Sequence, residues 1–130
     1  MNKLSRLLLL VFLTGVLLSG CKYNWLVPEE LVIIDPDDPS QQVSFSEVIV
    51  PIFTSGNNCT ACHNGSQIPD LREDRAYASI NTTRYINKID PEQSRIYQVP
   101  NPAMGSHYKQ FTASQAALVL AWIQQGAKNN

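Results

Sequence analysis

The stretch Cys59-Thr60-Ala61-Cys62-His63 carries the most specific chemical signal in the 130-residue chain. It places two thiols three positions apart and an imidazole directly after the second thiol. Two intervening residues allow a tight turn that brings both sulfur atoms to one side, and the histidine that follows is carried next to them. The spacing therefore predicts one small site that offers two sulfur atoms and one nitrogen atom.

This Cys-x-x-Cys-His spacing is the pattern of covalent haem attachment. The two thiols, Cys59 and Cys62, add across the two vinyl groups on one edge of a porphyrin, and His63 then reaches the iron as its proximal ligand. With average residue usage, such a string arises by chance in a chain of this length on the order of one time in a thousand. We therefore expect one covalent haem c, bound by Cys59, Cys62 and His63.

Three other interpretations use the same residues. A thioredoxin-like redox pair needs a preceding strand in a β-rich fold, whereas the sequence that follows Cys59–His63 has a helical and loop-like character. A zinc site would have to recruit Met104 or His107, which would be an unusual closed set of ligands. A structural disulfide is compatible with an exported protein.

Few other sulfur or imidazole donors remain that could be a second axial iron ligand. After residue 20 the chain contains one methionine, Met104, and one histidine other than His63, namely His107. Met104 lies in the stretch Pro100–Gly105, where two prolines and a glycine predict a stiff loop that can hold a weak thioether ligand on a metal. A lone methionine is usually a core filler, but this position favours Met104 as the sixth ligand, with His107 as the alternative.

The first twenty residues have the character of an export signal. Two positive charges in Met1–Arg6 precede the apolar run Leu7–Leu18, whose helix would rise about 18 Å, too short for a bilayer core of about 30 Å. The next residues, Leu18-Ser19-Gly20-Cys21, resemble the lipobox of bacterial lipoproteins. We expect a lipoprotein signal peptide at 1–20 and acylation of Cys21, or alternatively an ordinary signal peptide. The lipid would hold the protein on a membrane of the bacterial cell envelope, facing the periplasm or the cell exterior.

The segment 21–43 is predicted to be a spacer between this anchor and a folded domain at 44–130. Prolines and like charges favour an extended chain there. Past residue 20, eight basic residues stand against eleven acidic ones, because only Lys3 and Arg6 of the ten basic residues lie in the leader. This mildly acidic balance excludes a nucleic-acid binder that works through a basic surface.

Two capping boxes predict the first and last helices of the domain. One is Ser44-Phe45-Ser46-Glu47, after which Pro51 should weaken or kink the helix. The other is Thr112-Ala113-Ser114-Gln115, which opens a helix to about Gln125 with Gly126 as its terminator. The predicted contacts of the last helix with the first use Leu118, Ala121 and Trp122, and shorter helices are predicted at Leu71–Ile80 and Pro91–Tyr97.

From Ser44 to Asn130 the chain resembles a small class I c-type cytochrome of the bacterial kind. The resemblance rests on the haem string with Val50–Phe53 before it, on Met104 in its loop, and on Trp122-Ile123 with Gly126-Ala127 at the end. It implies an all-α cytochrome c fold, with about four to five short helices around one haem, crossed first and last helices, and His/Met ligation.

These observations predict an electron-transfer protein rather than an enzyme. Iron with two axial ligands has no open coordination site, so the expected function is a membrane-tethered carrier of single electrons with redox proteins as partners. The ring N–H of His63 is expected to donate to a carbonyl near Ile68 or Pro69, and Arg95, Tyr97 and Tyr108 are candidates for binding the propionates. The alternatives are a haem peroxidase or gas sensor with a displaceable sixth ligand, and a haem subunit of a larger membrane oxidoreductase.

Overall fold

The computed structural model describes residues 2–3, 32–105 and 107–130. Within these ranges the regular structure is entirely helical and includes four α-helices, which confirms the predicted all-α class. They are α1 (Val50–Thr54), α2 (Ala76–Ile80), α3 (Arg95–Gln98) and α4 (Ala113–Gln124). The remaining helical segments are a π-helix at Phe45–Ile49 and 3-10 helices at Pro39–Gln41, Ser55–Asn57 and Pro91–Gln93.

The predicted export signal, apart from residues 2–3, and the predicted acylation site Cys21 lie outside the described residues. The end of the predicted spacer is described, and it packs on the domain. Val43 is buried and donates its N–H to Oε1 of Gln125 (2.8 Å), while Nε2 of Gln125 donates to the carbonyl of Gln41 (3.1 Å). No helix in the described part of the chain has both the length and the apolar character that crossing a bilayer requires.

Pro51 changes the first helix in the way its chemistry requires. The serine half of the predicted capping box is confirmed, because the Ser44 side chain accepts from the N–H of Glu47 (3.2 Å). The following turn is π-helical, with the N–H of Val50 donating to the carbonyl of Phe45, and α-helical geometry begins only at Val50. Pro51 has no N–H and its ring would collide with the carbonyl four residues earlier. The wider turn moves that carbonyl away, so the helix continues without a break.

The last helix, α4, forms between the two signals that predicted it. The side chain of Thr112 accepts from the N–H of Gln115 (3.2 Å), and Oε1 of Gln115 accepts from the N–H of Thr112 (2.9 Å), which completes the capping box. Gly126 has φ +97°, and the N–H of Ala127 donates to the carbonyl of Trp122 (2.9 Å). This is the Schellman termination that a glycine at this position favours.

Phe45 at the start of the first helix packs on α4. Its ring centroid lies 5.1 Å from that of Trp122 and 5.2 Å from that of Tyr77. The predicted contact of Trp122 with the first helix is thereby confirmed, while Ala121 is buried and Leu118 is partly buried against the same core. This contact places the first and last helices against each other and leaves the loops between them to form the site.

The two shorter helices differ from their predicted bounds. The region predicted as Leu71–Ile80 is a loop with a turn until α2 begins at Ala76, and the N–H of Leu71 donates across the loop to the carbonyl of His63 (2.8 Å). The region predicted as Pro91–Tyr97 is a 3-10 turn followed by α3. Ser94 separates these two elements in an extended conformation, with its hydroxyl accepting from the N–H of Asn87 (2.9 Å).

Candidate functional site

The residues Cys59–His63 form the tight turn that their spacing predicts. The N–H groups of Cys62 and His63 both donate to the carbonyl of Cys59, at 3.2 and 2.9 Å. The N–H of Cys59 donates to the carbonyl of Phe53 (2.9 Å), which fixes the turn to the end of α1. Both cysteines are free thiols, with Cys59 half-buried and Cys62 exposed. Two unbonded sulfur atoms and one imidazole are thus presented by a single turn.

Burial changes the acid–base chemistry of the inner thiol. Desolvation raises the pKa of Cys59 above its usual value, because the thiolate loses hydration inside the protein, and the positive charge of Lys109 partly offsets this rise. The protonated thiol is thereby favoured at neutral pH. An electrophile that enters the site beside Lys109 would meet the less hydrated of the two sulfur atoms.

His63 is oriented by the loop that follows it. Its Nδ1 lies 2.9 Å from the carbonyl oxygen of Pro69, and since a carbonyl only accepts, Nδ1–H is the donor. This is the hydrogen bond predicted near Ile68 or Pro69. It fixes the tautomer and leaves Nε2 with a lone pair for a metal, which is the usual arrangement of a ligating histidine. The loop is further held by the ion pair of Arg72 with Asp70, at 2.6 Å.

A cavity of about 220 Å³ opens beside His63. Its described lining combines an apolar floor with basic side chains, and none of the described lining residues is a carboxylate. The apolar part includes the buried residues Phe53, Leu71, Ile96 and Phe111, and the remaining lining residues that matter here are Cys59, His63, Arg84, Arg95, His107 and Lys109.

The residues around this cavity differ in part from those expected to bind the propionates. Arg95 lines the cavity as expected. Tyr97 and Tyr108 are not among its described lining residues, and Tyr108 is 92% exposed. Arg84 and Lys109, which the sequence gave no reason to select, also line the cavity. The nearness of Lys109 to His107 in sequence was the one signal available.

The two candidates for the second axial ligand occupy different places. Met104 is 59% exposed and is not among the described lining residues of the cavity beside His63. It lines a wide neighbouring depression together with Tyr108 and His107. His107 lines both openings, and its ring centroid lies 6.0 Å from that of His63, with 27° between the ring planes.

The loop that carries both candidates is stiff, as its prolines and glycine predict. The carbonyl of Asn101 accepts from the N–H groups of Met104 (3.1 Å) and Gly105 (2.8 Å). Gly105 lies so close to the carbonyl of Val99 that a Cβ atom there would collide with it. The N–H of Phe111 donates to the carbonyl of Pro100 (2.8 Å) and closes the loop.

The donor set fits a covalent haem. Two adjacent free thiols, an imidazole with a free Nε2, an apolar cavity and a basic rim match the vinyl groups, the iron, the ring and the propionates of that group. Among the described residues, no group of three or more histidine, cysteine, aspartate or glutamate side chains converges on a common point where a metal ion could bind. No protein-family model, no curated protein and no solved structure matches the chain.

Proposed function

We propose that this protein is a monohaem c-type cytochrome that carries single electrons while tethered to a membrane of the bacterial cell envelope. One observation carries the proposal. Nε2 of His63 is left free beside an apolar cavity, in the same turn that presents two unbonded thiols. Neither a redox dithiol pair nor a disulfide gives a reason for an oriented imidazole directly after the second cysteine.

Haem, when bound, supplies one-electron exchange between Fe(III) and Fe(II). The sulfur atoms of Cys59 and Cys62 would hold it covalently, and His63 would be one axial iron ligand. The loop with Met104 and His107 would supply the second axial ligand, and the sequence favours the thioether of Met104. The residues proposed to bind the vinyl groups and the iron are therefore contained in the turn 59–63 and the loop 100–111.

The protein's own residues would hold the site still and keep it dry. The carbonyl of Pro69 orients the His63 ring and raises its basicity as a ligand. The buried side chains of Phe53, Leu71 and Phe111 exclude water from one side of the cavity. Exclusion of water lowers the local dielectric, which makes the reduction potential sensitive to nearby charge.

The basic rim would compensate negative charge on the bound group. Arg84, Arg95 and Lys109 line the cavity, and no described lining residue opposes them with a carboxylate. Guanidinium groups bind carboxylates through paired N–H donors. We assign the propionates to this rim, with Arg95 retained from the sequence-based expectation.

The proposed fold is that of class I cytochromes c. Its support is the packing of the first helix on α4 through Phe45 and Trp122, with the haem-binding turn directly after α1. Export and acylation at Cys21 are also proposed, and their support is the sequence alone. The proposed partners are redox proteins and, through the lipid, a membrane surface.

A gas sensor or peroxidase is the second candidate function. The position of Met104 outside the described cavity lining supports this candidate. If no protein ligand occupied the sixth position, the iron would bind small ligands. Carbon monoxide separates the two functions, because a carrier with two protein ligands binds it poorly and a five-coordinate haem binds it readily.

The proposal is tested by expressing the full chain in a host that attaches haem c, and recording a pyridine haemochrome spectrum of the purified protein. We expect the spectrum of haem with both vinyl groups saturated. The Cys59→Ala plus Cys62→Ala variant should lose covalent haem, whereas the matched variant Thr60→Ala, altered inside the same turn, should keep it. A colourless wild-type protein would end the proposal.

A further inference from the structure

We infer that His107, not Met104, is the second axial ligand, so that the iron is held between two imidazoles; this rests on the proposed function. The chain contains two histidines. His63 lies in the turn after α1 and His107 lies 44 residues later, in the loop before α4, yet both rings line one cavity.

The distance between the two rings fits one shared metal ion. Their centroids are 6.0 Å apart. A metal–imidazole nitrogen bond is about 2 Å long, so two such bonds span about 4 Å of this separation. The remainder corresponds to the distances from the two nitrogen atoms to the centres of their own rings. The centroid separation is therefore of the size that two imidazoles bound to a single ion have, and both rings line the same cavity.

Both rings are anchored in the same way. Nδ1 of His63 donates to the carbonyl of Pro69 (2.9 Å), and Nδ1 of His107 donates to the carbonyl of Lys109 (2.7 Å). Each bond leaves Nε2 as the free nitrogen with a lone pair. A carbonyl on the outer nitrogen is the common support of metal-ligating histidines, and it lowers the entropy lost when the ligand binds.

The backbone around Met104 is fixed by hydrogen bonds. Its N–H is bound to the carbonyl of Asn101, and the following Gly105 is packed against the carbonyl of Val99. A further bond from Nε2 of Gln110 reaches the carbonyl of Gly105 (2.7 Å). The Met104 side chain is 59% exposed and is not among the described lining residues of this cavity, whereas His107 is.

Ligation by two histidines would set the carrier to a lower potential. A thioether favours Fe(II) and raises the reduction potential relative to a second imidazole. The protein would then exchange electrons with low-potential donors and acceptors rather than with the high-potential partners of His/Met carriers. The identity of this one ligand would thus determine the class of redox partner. The reduction potential can be measured without knowing the partner.

The test uses ferric holoprotein after haem attachment and reads the optical spectrum and the reduction potential. The wild type should lack the weak red band that a thioether sulfur gives on ferric haem. Met104→Ala should leave both the low-spin spectrum and the potential unchanged. His107→Ala should lose the low-spin spectrum and bind carbon monoxide when reduced, and added imidazole should restore the original spectrum.

The opposite results would overturn the inference. They are a thioether band in the wild type that disappears in Met104→Ala, or a His107→Ala variant with the wild-type spectrum. If the band appears only in His107→Ala, the inference is supported, because Met104 then binds only when His107 is missing. A wild-type protein with covalent haem and a thioether band contradicts this inference alone, whereas a protein without covalent haem contradicts the proposed function as well.

Discussion

Phe45 and Trp122 pack with their ring centroids 5.1 Å apart, which fastens the start of the first helix to α4. Both side chains are almost completely buried, and Nε1 of Trp122 also donates to the carbonyl of Lys128 (2.9 Å). The pair therefore holds the first and last helices of the domain together.

Phe45→Ala should destabilise the holoprotein by about 3–5 kcal/mol, because removal of a buried aromatic side chain loses apolar burial and leaves a cavity. Denaturant unfolding followed by circular dichroism measures this loss. Ile89→Ala is the matched control, since Ile89 is 98% exposed, and it should change the free energy of unfolding by less than about 0.5 kcal/mol. Equal effects of the two variants would show that Phe45 does not join the helices.

Gly105→Ala should disturb the loop that carries both ligand candidates, because the new Cβ would meet the carbonyl of Val99. We expect a loss of about 1–3 kcal/mol in stability, as for overpacking elsewhere, and an altered haem spectrum. In Gly56→Ala the new Cβ meets no atom within 4 Å, although the backbone has φ +62°. That variant should lose stability by strain alone and keep the wild-type spectrum; an unchanged spectrum in both would contradict the account of the loop.

The ion pair of Asp70 with Arg72 should make the loop behind His63 sensitive to acid. Hydrogen bonds from the Arg72 side chain are the largest cause that lowers the pKa of Asp70 below its ordinary value of 3.8. A carboxyl whose pKa is lower in the folded state adds stability above the ordinary value, and this stability disappears as the pH falls through the lowered value.

Asp70→Asn should therefore have a lower Tm than the wild type at neutral pH, and the two proteins should converge in strong acid. Arg72→Gln should also have a lower Tm than the wild type at neutral pH and converge with it in strong acid, because the substitution removes the hydrogen bonds that lower the pKa of Asp70. The effect should be small and should weaken at high salt, since both side chains contact solvent. A constant difference in Tm between wild type and variant at every pH would contradict this role of the ion pair.

Removal of haem should remove cooperative unfolding. A domain of about 87 residues has a thin core, and here part of its interior is a cavity rather than packed side chains. The Cys59→Ala plus Cys62→Ala variant, purified without haem, should show a broad thermal transition by calorimetry. A sharp transition like that of the holoprotein would show that the helices alone suffice.

The parts that the sequence predicted are those that rest on local chemistry. The capping box at Thr112, the terminator Gly126 and the tight turn at Cys59–His63 each depend on neighbours within a few residues. The hydrogen bond of His63 near Pro69 belongs to the same class, because a short loop brings the carbonyl back.

The parts that the sequence did not predict depend on contacts across the fold. The lining positions of Arg84 and Lys109 depend on how segments distant in sequence come together around the cavity, which no local pattern encodes. The late start of α2 at Ala76 is also not encoded in the local apolar pattern of the region 71–80. Likewise, the choice between Met104 and His107 depends on which way a braced loop faces, and sequence spacing does not determine this.

The central claim is that haem is bonded covalently to the turn 59–63, and the mass of one peptide tests it most directly. Trypsin should release the segment between Lys22 and Arg72, because no lysine or arginine lies between them. The account predicts that this peptide from the mature protein carries the added mass of one haem and keeps its colour in acidified acetone. A peptide at its unmodified mass, with the pigment free in the acetone, would contradict the account.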